Sequence, residues 1–184
     1  MSEFPKEIKG KRIELKTVEP TFANALMIFE IVKNSRDHLL PWLDWAASDK
    51  VEDTFAFLQT IKESREKKMK YDFGIFKDGK YIGNAGIFNI SEKTRSAEIG
   101  YWLDKAYAGQ GYVSEALKLL EKEAFGNYGI NRIVIKCDTR NTPSANVARR
   151  NGYTLEGTLR EDRYSGFEQK LVNGFLFAKL KAEA

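Results

Sequence analysis

Leu103-Asp104-Lys105-Ala106-Tyr107-Ala108-Gly109-Gln110-Gly111-Tyr112-Val113-Ser114-Glu115-Ala116 passes from the end of an apolar strand, through a glycine turn, into a helix. The helix shows in Val113, Ala116, Leu117, Leu120 and Ala124, which recur at i, i+3, i+4, i+7 and i+11 and so share one face. A strand–turn–helix junction presents unpaired backbone N–H groups at the positive end of the helix. Glycines there let an anion approach with no Cβ in the way. The pattern is not a P-loop, since no Gly-Lys-Ser/Thr follows, and it lacks the GxGxxG of a dinucleotide fold. Taken alone, an ordinary turn at a helix start explains the two glycines equally well.

Upstream, Tyr71 to Lys77 and Tyr81 to Phe88 are apolar runs joined by Asp78-Gly79, the preferred two-residue hairpin turn. A polar loop then leads to a third strand, Ala97 to Leu103. Val51 to Lys68 predicts an amphipathic helix with Phe55, Leu58 and Ile61 on one face and Asp49 as its N-cap. Another helix follows Pro20 and ends near Asn34 and Ser35, and Lys11 to Val18 alternates as a strand. Downstream come a β-branched strand, Arg132 to Cys137, and a short helix, Pro143 to Arg150, ended by Asn151-Gly152. Two strands, Tyr153 to Leu159 and Leu171 to Leu180, close the chain. The expected order is β-α-α-β-β-β-α-β-α-β-β: an α/β (α+β) chain with a mixed, mostly antiparallel sheet of about seven strands flanked by four helices. Residues 1–184 read as a single domain.

Hydrophobic residues make up 42% of the 184, enough for a sizeable core, so 30% charge does not signal disorder. The net charge of +4 suits a polyanionic ligand, but no basic run is dense enough for a nucleic-acid arm. One cysteine excludes an internal disulfide, and one histidine excludes most histidine metal sites and makes a Ser-His-Asp triad a poor fit. No signal-peptide core and no long apolar stretch stand out, so a cytoplasmic, membrane-free and metal-free protein is expected.

Ile99 to Leu103 followed by Gly109 to Ala116 resembles the acetyl-CoA motif of the GNAT acetyltransferase superfamily. Asn141-Thr142-Pro143-Ser144-Ala145-Asn146-Val147-Ala148-Arg149-Arg150-Asn151-Gly152-Tyr153 resembles its second motif, an Asn followed by a helix ending in Gly-aromatic. Trp42-Leu43-Asp44-Trp45, Val51-Glu52-Asp53-Thr54, Ile135-Lys136-Cys137 and Leu155-Glu156-Gly157 narrow the similarity to the bacterial ribosomal-protein N-terminal acetyltransferases of the RimJ/RimL type. That resemblance implies the GNAT fold and acetyl-CoA as co-substrate. It places the pyrophosphate on the backbone of Gln110, Gly111, Tyr112 and Val113, and the pantetheine arm along Tyr101, Trp102 and Leu103. It implies that the Leu103 strand end points an N–H at the thioester oxygen, that Asn141 contacts the arm, and that Ser144 returns a proton to the departing thiolate. Acceptor contacts would come from the first interhelical loop, with His38, Trp42, Asp44 and Trp45.

The sequence also departs from the family. Ala108 stands where Gln or Arg is frequent, and Val113 where Gly or Ala is. Ala148 occupies the position of a frequent tyrosine acid, and Arg163 that of a carboxylate base, with Glu161 and Asp162 beside it.

The acceptor follows partly from proton chemistry. At pH 7 an α-amine of pKa about 7.7–8.0 is neutral roughly 10% of the time, a cost of about 1.2 kcal/mol. A lysine near 10.4 costs roughly 4.6 kcal/mol and would need a committed base. With no histidine in either motif, the α-amine of a protein, such as a ribosomal protein, is favoured. A small amine (polyamine, amino acid or antibiotic) and a non-catalytic ribosome- or RNA-binding role stay open, and the resemblance admits a homodimer.

Overall fold

The computed structural model describes residues 4–184. In chain order the elements are β1 (Glu7–Lys9), β2 (Glu14–Lys16), α1 (Phe22–Asn34), α2 (Arg36–Leu39) and α3 (Val51–Glu66). These are followed by β3 (Tyr71–Lys77), β4 (Lys80–Ser91), β5 (Ser96–Leu103), α4 (Tyr112–Gly126) and β6 (Arg132–Asp138). Then come α5 (Thr142–Arg150), β7 (Thr154–Ser165) and β8 (Lys170–Leu180). All eight strands join one sheet in the order β1-β2-β3-β4-β5-β6-β8-β7, antiparallel throughout except for β5 beside β6.

Asp78 and Gly79 both take positive φ, 49° and 76°, which the favoured two-residue hairpin turn requires. The apolar stripe of α4 packs with α5 on one face of the sheet, where Leu117, Leu120, Ala145 and Ala148 meet Ile99, Ile133 and Ile135. On the opposite face Ile28, Val32 and Leu58 of α1 and α3 cover Tyr81 and Trp102. No helix among the described residues is long and apolar enough to cross a membrane.

Three expectations need correction. Among the described residues the sheet has eight strands, because Glu7–Lys9 pairs with β2 through a segment too short to show alternation. A fifth helix, α2, is a single turn with no periodicity to read. Asp49 does not cap α3: Lys50 is the N-cap with no side-chain cap bond, and Asp49 instead pairs with Arg36 at 2.7 Å.

The sheet opens where β5 meets β6. The parallel pairing covers only Ser96–Arg132, Ala97–Ile133 and Glu98–Val134. Beyond it β5 continues against β4 as far as Gly83–Leu103, while β6 continues against β8 to Asp138–Gly174. From Ile99 to Leu103, β5 therefore has one edge with no strand beside it.

Candidate active site

A cleft of about 730 Å³ fills the notch between the diverging strands. Its walls include Ile99–Leu103 on one side and Ile135–Asp138 on the other, with the glycine turn at one end. Antiparallel pairs alternate between hydrogen-bonded and open. The Asp104 N–H bonds the Ile82 carbonyl at 2.8 Å, and in this register Trp102 and Gly100 likewise bond β4. The backbone groups of Ile99, Tyr101 and Leu103 therefore face the open edge.

At the glycine turn Gly109 and Gly111 take φ of 76° and 81°. Gly111 is the N-cap of α4, with no side chain satisfying the first-turn N–H groups. A Cβ on Gly109 would meet nothing within 4 Å, so its approach is open. Arg12 braces the turn from outside the motif: Nη1 donates to the Gln110 carbonyl at 3.0 Å and Nε to Glu115 Oε2 at 2.8 Å. Burial works to raise the Glu115 carboxyl, but the hydrogen bonds from Arg12 outweigh it and hold the group below its usual range. Unclaimed N–H groups, a helix N-terminus and a guanidinium beside a Cβ-free turn together fit a diphosphate. Arg12 was not legible in the sequence, because its contacts span about a hundred residues.

Gly111→Val forces a β-branched residue to φ 81° and puts a side chain over the cradle. The expected result is an acetyl-CoA Kd raised at least tenfold, about 1.4 kcal/mol, by calorimetry. An unchanged Kd removes the phosphate assignment.

Midway along the cleft the Tyr101 hydroxyl lies 3.1 Å from Ser144 Oγ and donates to the Ser144 carbonyl at 3.3 Å. Burial pushes the Tyr101 phenol up to about 12, against the hydrogen bond with Ser144 that pulls it down, so the group stays protonated and can donate. Asn141 caps α5, its side-chain oxygen accepting the Ser144 N–H at 3.1 Å, which fixes Ser144 opposite β5. Cys137 lines the same wall, its thiol raised chiefly by burial. The sequence pointed to the Tyr101 backbone only; its hydroxyl was hidden because Ser144 lies 43 residues on.

The remaining candidates divide. Leu103, Tyr112, Val113, His38 and Trp42 line the cleft. Gln110 lies beside it, its carbonyl taken by Arg12 and its side chain by the Ala106 carbonyl. Asp44 accepts the Gly166 N–H at 3.0 Å and so ties the tryptophan loop to the β7–β8 turn. Trp45 lines a second cavity, on the α1–α3 side, with its ring 5.7 Å from that of Trp102. Arg163 lines the cleft but bonds Asp138 at 3.3 Å. The register of β7 slips between Leu159 and Arg163, and Glu161 takes a positive φ of 50°. That bulge leaves Asp162, rather than Glu161, among the cleft residues.

Comparison with known proteins bears on the family and the fold. Residues 12–154 match the family model described as an acetyltransferase (GNAT) domain. The ribosomal-protein-serine acetyltransferase of Escherichia coli K12 is 33% identical over 154 residues, 83% of this chain and 85% of that protein. Among solved structures, the RimL ribosomal L7/L12 α-N-protein acetyltransferase in complex with coenzyme A superposes with a TM-score of 0.87 at 27% identity. The match covers 95% of this chain and 97% of that one. A Salmonella typhimurium acetyltransferase described as modifying the N-terminal serine of L7/L12 gives 0.85 at 26% identity, over 95% and 98%.

Proposed function

The chain belongs to the GNAT acetyltransferases, and from that membership we propose that it transfers the acetyl group of acetyl-CoA to a protein's N-terminal α-amine. The observation that carries this reading is the open edge of β5, with odd-numbered backbone groups facing a cleft that ends in an anion cradle. The structural neighbours described as acting on the α-amine or N-terminal serine of L7/L12 support the acceptor class.

Acetyl-CoA supplies the acyl group as a thioester. The turn from Gly109 to Val113, with Arg12, holds its diphosphate, and Tyr101 and Leu103 pair with the pantetheine arm. The Leu103 N–H meets the thioester oxygen where negative charge develops. The neutral amine attacks the carbonyl carbon, the N–C bond forms and the C–S bond breaks. Before attack the ammonium loses one proton through water toward Asp162; after it the nitrogen sheds a second proton through water, which replaces the one that the Tyr101–Ser144 pair gives to the thiolate. Because an α-amine needs only about 1.2 kcal/mol to deprotonate at pH 7, a carboxylate reached through water suffices.

Two lysine-free or N-blocked basic peptides test this: one with a free N-terminal serine and no lysine, the other blocked and carrying internal lysines. CoA release and a gain of one acetyl group with the first peptide alone are expected. Release with the second alone overturns the α-amine reading. With the first peptide, kcat/KM should rise about tenfold per pH unit below the amine pKa and then stay level to about pH 10. The sign follows from the raised Tyr101 phenol, whose protonated donor form persists to higher pH. A fall between pH 8 and 10 would instead point to an acid of ordinary pKa.

A further inference from the structure

The second cavity, about 450 Å³, lies under α1 and α3 on the opposite face of the sheet from α4. It shares Leu43, Phe88, Gly100, Tyr101 and Trp102 with the transfer cleft, so the two meet along β5. Its floor is set by the strand register. Asp72 of β3 pairs with Gly86 of β4, and Gly86 with Gly100 of β5, one row running from the open edge back to a carboxylate. Two glycines in that row keep the floor clear: a Cβ on Gly86 would stand 2.7 Å from Asp72 Oδ2. Two interstrand spacings make the row about 10 Å long.

The walls are aromatic, with Trp45, Phe57, Tyr81 and Trp102 among them. At the Asp72 end the lining is polar and already charge-balanced. Lys70 pairs with Asp72 at 3.1 Å, and its ammonium sits 5.1 Å and 5.7 Å from the Phe57 and Phe88 ring centroids. The Asn84 amide also donates to Asp72. Burial pushes the Asp72 carboxyl up, with Lys70 and Asn84 pulling it back. Because Lys70 and Asn84 already occupy it, Asp72 offers a ligand a hydrogen-bonding partner rather than an unpaired charge. A ligand end reaching this point is best neutral and able to hydrogen-bond.

We propose that this cavity is the pocket for the substituent next to the acceptor nitrogen, and that it selects an amine bearing an aryl group, preferably a hydroxyaryl one. The inference rests on the transfer reading above. A serine side chain, no larger than one or two waters of about 30 Å³ each, leaves most of the cavity unfilled. A tyrosine or phenylalanine side chain at a chain terminus takes up several times more of it, with the ring against the indoles and the hydroxyl at Asp72 and Asn84.

All three tryptophans, Trp42, Trp45 and Trp102, line one cavity or the other, so their fluorescence reports occupancy without turnover. Peptides identical except for an N-terminal Ser, Phe or Tyr are titrated into the CoA-saturated protein and, with acetyl-CoA in place of CoA, assayed for acetylation. The expected result is a Kd at least tenfold lower for Tyr and Phe than for Ser, with Tyr ahead of Phe. Thr54→Phe, which places a ring in the cavity from the half-buried side of α3, should bring that ratio to about one. Asp72→Asn should erase the advantage of Tyr over Phe. Equal affinity for all three peptides, or a preference that survives Thr54→Phe, overturns the inference. Tyramine separates the sources of the aryl amine: affinity equal to the Tyr peptide assigns the pocket to a small molecule, weaker affinity to a chain terminus. Tight aryl binding without acetylation keeps the pocket and removes the transfer reading, and acetylation without preference does the reverse.

Discussion

Tyr101→Phe should lower kcat about 100-fold while changing the Kd for acetyl-CoA less than threefold. The substitution removes one oxygen from a buried ring and leaves the backbone of β5, which the pantetheine arm would pair with, as it is. What it removes is the hydroxyl 3.1 Å from Ser144 Oγ, a donor kept protonated to about 12. General acids contribute 10²–10⁴ in rate, and the lower end applies because a thiol near pKa 8.5 already makes a tolerable leaving group. Ser144→Ala should cost less, on the order of tenfold, because a water in the space of the lost hydroxyl can carry the proton of Tyr101. The double variant should then be no slower than Tyr101→Phe, because residues acting as one relay do not add. Wild-type kcat in Tyr101→Phe would assign that proton to water.

The largest effect on stability is expected at the far side of the sheet. Lys179 of β8 is 8% exposed, and its ammonium donates to Glu121 of α4 at 2.9 Å and to the Asn151 carbonyl at 3.1 Å. One side chain thus pins α4, the end of α5 and the sheet together. Lys179→Met strands a carboxylate that is itself 5% exposed, and breaking a buried pair in this way costs about 3–5 kcal/mol. Urea unfolding should show the loss as a lower midpoint with an unchanged slope. Adding Glu121→Leu should recover most of it, because a packed apolar pair can replace a buried ion pair at little cost. A loss below about 1 kcal/mol in Lys179→Met would mean that water reaches Glu121.

The sequence showed those parts whose signals are local. Asp78-Gly79 announced a hairpin because its backbone needs positive φ, and Gly109 and Gly111 marked the turn before α4 for the same reason. The apolar stripe of α4 is a property of that helix alone. What stayed hidden depends on distant partners or on unpaired length. β1 and α2 are too short to show a period. β7 was expected to end at Leu159 but runs to Ser165, because its polar, exposed Arg160-Glu161-Asp162 segment is a bulge rather than a loop. Asp49 looked like a cap until Arg36 was seen to hold it. Arg12, the Tyr101 hydroxyl and the row from Asp72 to Gly100 take their meaning from register and from contacts across the chain, which no local window contains.

The short parallel seam between β5 and β6 has a mechanical consequence. Strand pairing joins the two halves of the sheet through only three residue pairs, and above them the halves are tied by the helices packed across one face rather than by a ladder. A molecule lying there bridges both halves, so its binding energy also becomes cohesion of the fold, rising as RT ln(1 + [L]/Kd). At 100 times Kd that amounts to about 2.7 kcal/mol. Amide exchange should slow on both sides of the seam when the donor is present, and the protein's resistance to unfolding would then follow the cell's acyl-donor supply.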